Sequence, residues 1–123
     1  MAFEEFRNLP LGEVLSLQAQ RYPDRIYLKM GDERWTYSDI EDMANRLASG
    51  IQELGLLPGD RLAVTLPNIP EFIVSAFAAA KSGVLLVPIN IRRSEEELAT
   101  RLIKTQPKAF ISFSDPVRHD GID

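Results

Sequence analysis

Cysteine is absent from the 123-residue chain, and histidine occurs once, at His119. The first absence excludes disulfides, thiolate catalysis and cysteine-based metal sites. With one histidine, a zinc site would have to be built almost wholly from carboxylates, which is rare. Basic residues are not in excess either. The formal net charge is −4, and the basic pair Arg92-Arg93 is soon answered by Glu95, Glu96 and Glu97. A nucleic-acid partner needs a basic face, so that class is set aside. Long apolar runs are missing: the stretch from Phe72 to Ala80, broken by Ser75, is far too short to span a bilayer. The opening Met1-Ala2-Phe3-Glu4-Glu5-Phe6 lacks the basic-then-apolar order of a signal peptide. A cytoplasmic location without a transmembrane segment is therefore expected. The glycines at 12, 31, 50, 55, 59, 83 and 121 form neither G-x-G-x-x-G nor G-x-x-x-x-G-K, so no phosphate cradle is evident.

What is present suits one globular unit. Apolar residues make up 45% of the chain and charged residues 26%, enough for a single core. Leu11, Val14, Leu15 and Tyr22 recur at helical spacing, with Pro10 suited to a first turn and Tyr22-Pro23 to a stop. Ile26, Leu28 and Met30 then alternate with Arg25, Tyr27 and Lys29. Gly31-Asp32 suits a tight turn, and Arg34-Trp35-Thr36-Tyr37 runs back as a second strand. Ser38 and Glu41 have capping-box form, with Thr36 as a competing cap. Behind them Ile40, Met43, Ala44, Leu47, Ala48, Ile51 and Leu54 fall on one helical stripe, and Gly55 suits a left-handed end. Asp42 and Arg46 can pair one turn apart on the outer side.

Pro58-Gly59-Asp60 marks a turn before a strand from Arg61 to Leu66 that lacks polar alternation, as in a strand covered on both faces. Asn68 with Glu71, and Pro70 in the first turn, predict a helix to Ser82 that is apolar nearly all round and ends at Gly83. Val84 to Pro88 is expected as a second buried strand. Ser94 and Glu97 form a further capping box, for a helix with Leu98, Ala99, Leu102 and Ile103 on its inner face and Pro107 as its breaker. A third strand is expected from Ala109 to Phe113, followed by a polar tail. Strands joined by helices are parallel, with right-handed crossovers. The expected fold is α/β: residues 11–37 form a helix plus hairpin, 38–113 a parallel doubly wound, Rossmann-like αβαβαβ unit, and 114–123 the tail.

Several segments together carry a family likeness. Trp35-Thr36-Tyr37-Ser38-Asp39-Ile40 resembles the threonine-tyrosine entry to the first long helix of the AMP-forming, or adenylate-forming, acyl-CoA synthetases. Gly55 to Val64 resembles their glycine, glycine-aspartate, strand passage, and Leu66-Pro67-Asn68 their leucine-x-asparagine loop. Ala80-Lys81-Ser82-Gly83 followed by Val87-Pro88-Ile89-Asn90 is similar to their alanine-x-x-glycine and valine-proline-isoleucine-asparagine motifs. The likeness runs from Leu11 to Phe113 in the right order. It implies part of a larger N-terminal domain, in an enzyme that joins a carboxylate to ATP as an acyl-adenylate and then passes the acyl group to a thiol. ATP, Mg²⁺ and coenzyme A are the implied cofactors of that parent, and a carboxylic acid, expected to be a fatty acid, its substrate.

The family's chemical motifs have no counterpart here: the phosphate loop ending in lysine, the tyrosine-glycine-x-threonine-glutamate segment, the ribose-binding aspartate and the mobile lysine. No catalytic, cofactor-binding or metal residue is therefore carried over, and the chain by itself is expected to be inactive. Lys81 could be a phosphate ligand, but a helix-end cation is the simpler role. The loop Pro67-Asn68-Ile69-Pro70 leaves a strand where open α/β sheets bind ligands, yet capping and turn roles suit it better. Glu95, Glu96 and Glu97 fit a helix start better than a metal cluster. His119 reads as a surface residue, and Trp35 and Tyr37 as hairpin packing. The partner expected for such a fragment is the remainder of its parent. A homodimer through Ala76, Phe77 and open strand edges is the alternative.

Overall fold

The computed structural model describes residues 10–65, 69–89 and 95–112. The front unit is a helix, α1 (Leu11–Arg21), and a hairpin of β1 (Ile26–Met30) and β2 (Glu33–Thr36). Pro10 stands just ahead of α1 and its carbonyl accepts from the amides of Glu13 and Val14. Tyr22 leaves the helical region (φ −134°, ψ 59°) directly before Pro23, as the proline ring requires. Gly31, at φ 61°, makes the turn between β1 and β2. The register slips between Ile26 and Leu28, so simple alternation fails. Tyr27 and Leu28 are both half-buried, whereas Ile26 and Met30 are exposed.

The returning strand stops one residue earlier than expected, because Tyr37 already belongs to α2 (Tyr37–Glu53). Thr36, not Ser38, caps that helix. Its Oγ1 accepts from the Asp39 amide at 3.1 Å, and Asp39 Oδ2 accepts from the Thr36 amide at 2.9 Å. The hairpin decides the matter: pairing with Ile26 holds Thr36 extended (ψ 168°), which is the backbone an N-cap needs. Thr36→Ala is expected to cost about 1 kcal/mol of stability and Ser38→Ala less than ~0.5 kcal/mol, read as shifts in the urea midpoint at constant slope.

Ile40, Ala44, Ala48 and Ile51 of α2 are buried as expected, and Asp42 and Arg46 meet at 2.9 Å on the solvent side. Leu54, the last member of the expected stripe, is 75% exposed. The helix ends there in a Schellman motif: the Gly55 amide (φ 92°) donates to the Gln52 carbonyl and the Leu56 amide to that of Ile51. This folds Leu56 back into the core in place of Leu54.

A parallel sheet follows, of β3 (Arg61–Thr65), β4 (Leu85–Pro88) and β5 (Ala109–Ser112), in the order β4-β3-β5. The crossovers are α3 (Pro70–Ser82) and α4 (Glu95–Thr105). Only Ile69 among the described residues stands directly ahead of α3, without a side-chain cap; Asn68, the expected cap, lies outside the described residues, as do Leu66, Ser94 and Phe113. Pro70 takes the first helical position, and α3 ends at Gly83 (φ 75°), where a Cβ would stand 3.2 Å from Pro58 Cβ.

The expectation of two faces covered holds for β3 and fails for β4. All of β3 after Arg61 is buried, but Leu85 is 53% exposed and Pro88 is also open. The order β4-β3-β5 makes β4 an edge, and an edge strand lacks one neighbour. The expected inner face of α4 is likewise only half covered: Leu98 and Leu102 are half-buried, whereas Ala99 is open and Ile103 is 72% exposed. The helix still stops before Pro107, and Arg61 Nη1 donates to the Thr105 carbonyl at 2.8 Å, tying its end to the central strand.

Two cores result. Leu62 and Val64 of β3 pack with Ala48, Ile51, Leu56, Ala78, Ala79 and Val84. Leu15, Ile40, Ala44 and Val74 join α1, α2 and α3 beneath the hairpin. None of the described helices is long and apolar enough to cross a membrane.

Candidate functional site

Lys81, in the last turn of α3, is engaged with both other helices of the front layer. Its Nζ lies 2.6 Å from Glu41 Oε1 of α2 and donates to Ser16 Oγ of α1 at 2.8 Å. Ser16 Oγ in turn donates to the Gly12 carbonyl at 3.1 Å. Glu41 Oε1 is enclosed and accepts no hydrogen bond of regular geometry, so its compensation is the charge contact with Lys81. The lysine stem crosses α1 at Gly12, where a Cβ would come within 2.8 Å of Lys81 Cγ. The ammonium thus fastens three helices and is not presented to a phosphate. Sequence reasoning placed Lys81 at a helix end, correctly, but missed its partners. The usable signals were Gly12 and Ser16, small residues four apart on one helix face, and Glu41, which flanks the buried stripe of α2.

The other singled-out residues separate in space. Glu95, Glu96 and Glu97 are exposed in the first turn of α4, and no group of three metal-ligating side chains exists among the described residues. Trp35 and Tyr37 pack against the second core. Tyr37 stacks on Tyr27 with ring centroids 4.9 Å apart, and Phe77 meets Tyr27 edge-on at 6.3 Å. Burial pushes the Tyr27 phenol above its ordinary value, and the neighbouring Tyr37 adds to this. Phe77, expected on an open dimer surface, is therefore a packed residue. His119, Pro67 and Asn68 lie outside the described residues.

Among the recesses of the described residues, one lies at the start of α3, the helix that follows β3, the end of an open α/β sheet where ligands collect. It is a cleft of about 290 Å³ between β1 and the start of α3, lined by Leu28, Lys29, Met30, Ile69, Phe72 and Ile73 among others. The lining is apolar except for Lys29. Its lining residues supply no acid–base pair and no nucleophile. Sequence reasoning pointed to this end of the strand through residues 67–70 but not to β1 as the opposite wall.

Comparison with known proteins gives a consistent result. The family model described as AMP-binding enzyme matches residues 15–122. A medium/long-chain-fatty-acid–CoA ligase of Mycobacterium tuberculosis is 36% identical over 107 residues, covering 87% of this chain and 18% of the ligase. A 2,3-dihydroxybenzoate-AMP ligase of Bacillus subtilis is 42% identical over 108 residues, 83% of this chain and 20% of that enzyme. Among solved structures, the N-terminal subdomain of Klebsiella oxytoca NpsA superposes with a TM-score of 0.76 at 26% identity, covering 87% of this chain and 29% of that one. A fatty acyl CoA synthetase of Mycobacterium tuberculosis gives 0.75 at 35% identity, covering 82% and 20%. The chain spans about a fifth of the length of these two curated relatives.

Proposed function

The chain belongs to the AMP-binding enzyme family, and from that premise we propose that it is the N-terminal portion of an ATP-dependent acyl-CoA synthetase. The observation that carries this reading is the alignment with a fatty-acid–CoA ligase through 87% of the chain. In the proposed parent reaction a carboxylate oxygen attacks the α-phosphorus of ATP and pyrophosphate leaves. The thiol of coenzyme A then attacks the acyl carbon and AMP leaves. Mg²⁺ would neutralise phosphate charge in the first step.

The described residues do not fit the binding of these groups. Lys81 is held by Glu41 and Ser16, no three carboxylates or histidines converge, and no glycine-rich loop is present. No step is therefore assigned to them. In this proposal the segment acts as scaffold: a buried central strand with three helices locked against one another, working in the cytoplasm as part of a longer polypeptide. The match to a 2,3-dihydroxybenzoate-AMP ligase, at 42% identity, favours a second reading in which the acid is aromatic.

Carboxylate-dependent exchange of labelled pyrophosphate into ATP tests both. The 123-residue chain alone is expected to show none with either palmitate or 2,3-dihydroxybenzoate; exchange by this chain would sink the scaffold proposal. The whole protein is expected to respond to palmitate. A response to the aromatic acid alone would replace the first reading with the second.

A further inference from the structure

A second groove runs along α1 and shares no lining residue with the cleft at the start of α3. Leu11, Val14 and Gln18 of α1 line one side, and Tyr27, Tyr37 and Phe77 the other, around about 280 Å³. Gln18 is the one lining residue that is neither aliphatic nor aromatic. Leu11 is 54% exposed although it lines the groove. The stack of Tyr27 on Tyr37 and the edge contact of Phe77 make one side an aromatic surface, which favours a further ring. From Leu11 to Gln18 the helix rises about 10 Å, which sets the length to be covered.

The chain enters α1 through Pro10, directly ahead of the lining residue Leu11, and nine residues precede Pro10. Residues 1–9 lie outside the described residues. In their sequence Phe3, Phe6 and Leu9 stand at every third position, with Glu4, Glu5, Arg7 and Asn8 between them. Four residues of extended chain cover about 13 Å, so Phe6, tethered four residues ahead of Pro10, reaches any point of a groove about 10 Å long. We propose that residues 1–9 cover this groove, with the Phe6 ring seated against Tyr27, Tyr37 and Phe77. The tether makes docking intramolecular, at an effective concentration on the order of millimolar, so burial of one ring suffices where a free peptide of this sequence would not bind. The docked segment takes the surface through which Phe77 would otherwise meet a second copy, and so keeps the chain monomeric. The proposal uses residues of this chain alone and does not rest on the ligase reading.

Nuclear Overhauser contacts from a selectively labelled Phe6 ring in the 123-residue chain test the proposal. Contacts to Tyr27, Tyr37 and Phe77, together with sedimentation as a monomer, are the expected result. Phe6→Ser is expected to abolish those contacts, shift the Leu11 and Val14 methyl signals, and lower the melting temperature by about 3–6 °C. Glu5→Gln, between the apolar positions, is expected to leave the methyl signals and the melting temperature unchanged. Absence of Phe6 contacts to the groove in the parent chain overturns the proposal, and so does a Phe6→Ser chain that melts with the parent. Contacts found only between labelled and unlabelled copies, with sedimentation that depends on concentration, overturn it in favour of a second copy. Contacts to the groove from a later segment of the longer polypeptide, with Phe6 displaced, overturn it in favour of the remainder of the parent. None of these outcomes bears on pyrophosphate exchange by the whole protein.

Discussion

Lys81→Ala is expected to lower the stability of the folded chain by about 2–3 kcal/mol, among the largest effects of any single polar substitution in it. The ammonium contacts Glu41 Oε1 at 2.6 Å and Ser16 Oγ at 2.8 Å, and the two charged side chains keep only 13% and 20% of their exposure. Truncation leaves an enclosed carboxylate oxygen with no counter-charge, and that desolvation cost outweighs the lost attraction. Residual solvent access keeps the loss at the lower end for a buried pair. The lysine stem also packs across Gly12, so part of the loss is apolar contact. Lys81→Met retains most of that stem and separates the two contributions. The double variant Lys81→Met with Glu41→Leu removes both charges and is expected to recover to within about 1 kcal/mol of the parent chain. Urea denaturation at constant slope measures all three, and the double-mutant cycle gives the coupling. If Lys81→Ala shifts stability by less than ~0.5 kcal/mol, a value typical of an exposed pair, the three-helix fastening is refuted.

Local features were legible where one stretch of chain decides its own conformation. Gly55 and Gly83 ended helices because the left-handed backbone there, φ 92° and 75°, suits glycine. The stripe Ile40, Ala44, Ala48, Ile51 declared the buried face of α2 through its spacing alone. Thr36 and Ser38 were both acceptable caps by sequence. The choice came from outside the helix, through the pairing of Thr36 with Ile26. The two strands Arg61–Thr65 and Leu85–Pro88 look alike as apolar runs, yet one is central and one is an edge. Strand order is set by which way each crossover turns, and composition within a strand does not record it. The same holds for the site. Lys81 was readable as a helix-end cation, but Ser16 lies 65 residues away in sequence.

That difference between the centre and the edge of the sheet has a large energetic consequence, and the same substitution measures it on neighbouring strands. Leu62→Ala in β3 is expected to cost about 3–4 kcal/mol, because a fully packed leucine leaves a cavity as well as losing its transfer energy. Leu62 is 1% exposed and packs among Ala48, Ile51, Leu56, Ala78 and Val84. Leu85→Ala in β4 is expected to cost about 1 kcal/mol or less, since a side chain already 53% exposed leaves no enclosed void. Both variants are read in the 123-residue chain by urea denaturation, and equal losses would contradict the order β4-β3-β5. The same pair also reports on the proposed parent. If the longer polypeptide lays further structure against β4, Leu85 becomes a core residue there. Its replacement would then cost several-fold more in the whole protein than in this chain, whereas the cost of Leu62→Ala would stay nearly constant. Unequal growth of the two losses would mark β4 as an internal boundary of a larger domain. Equal losses in both contexts would leave β4 as an edge exposed to solvent, and would favour a self-contained module over a scaffold segment.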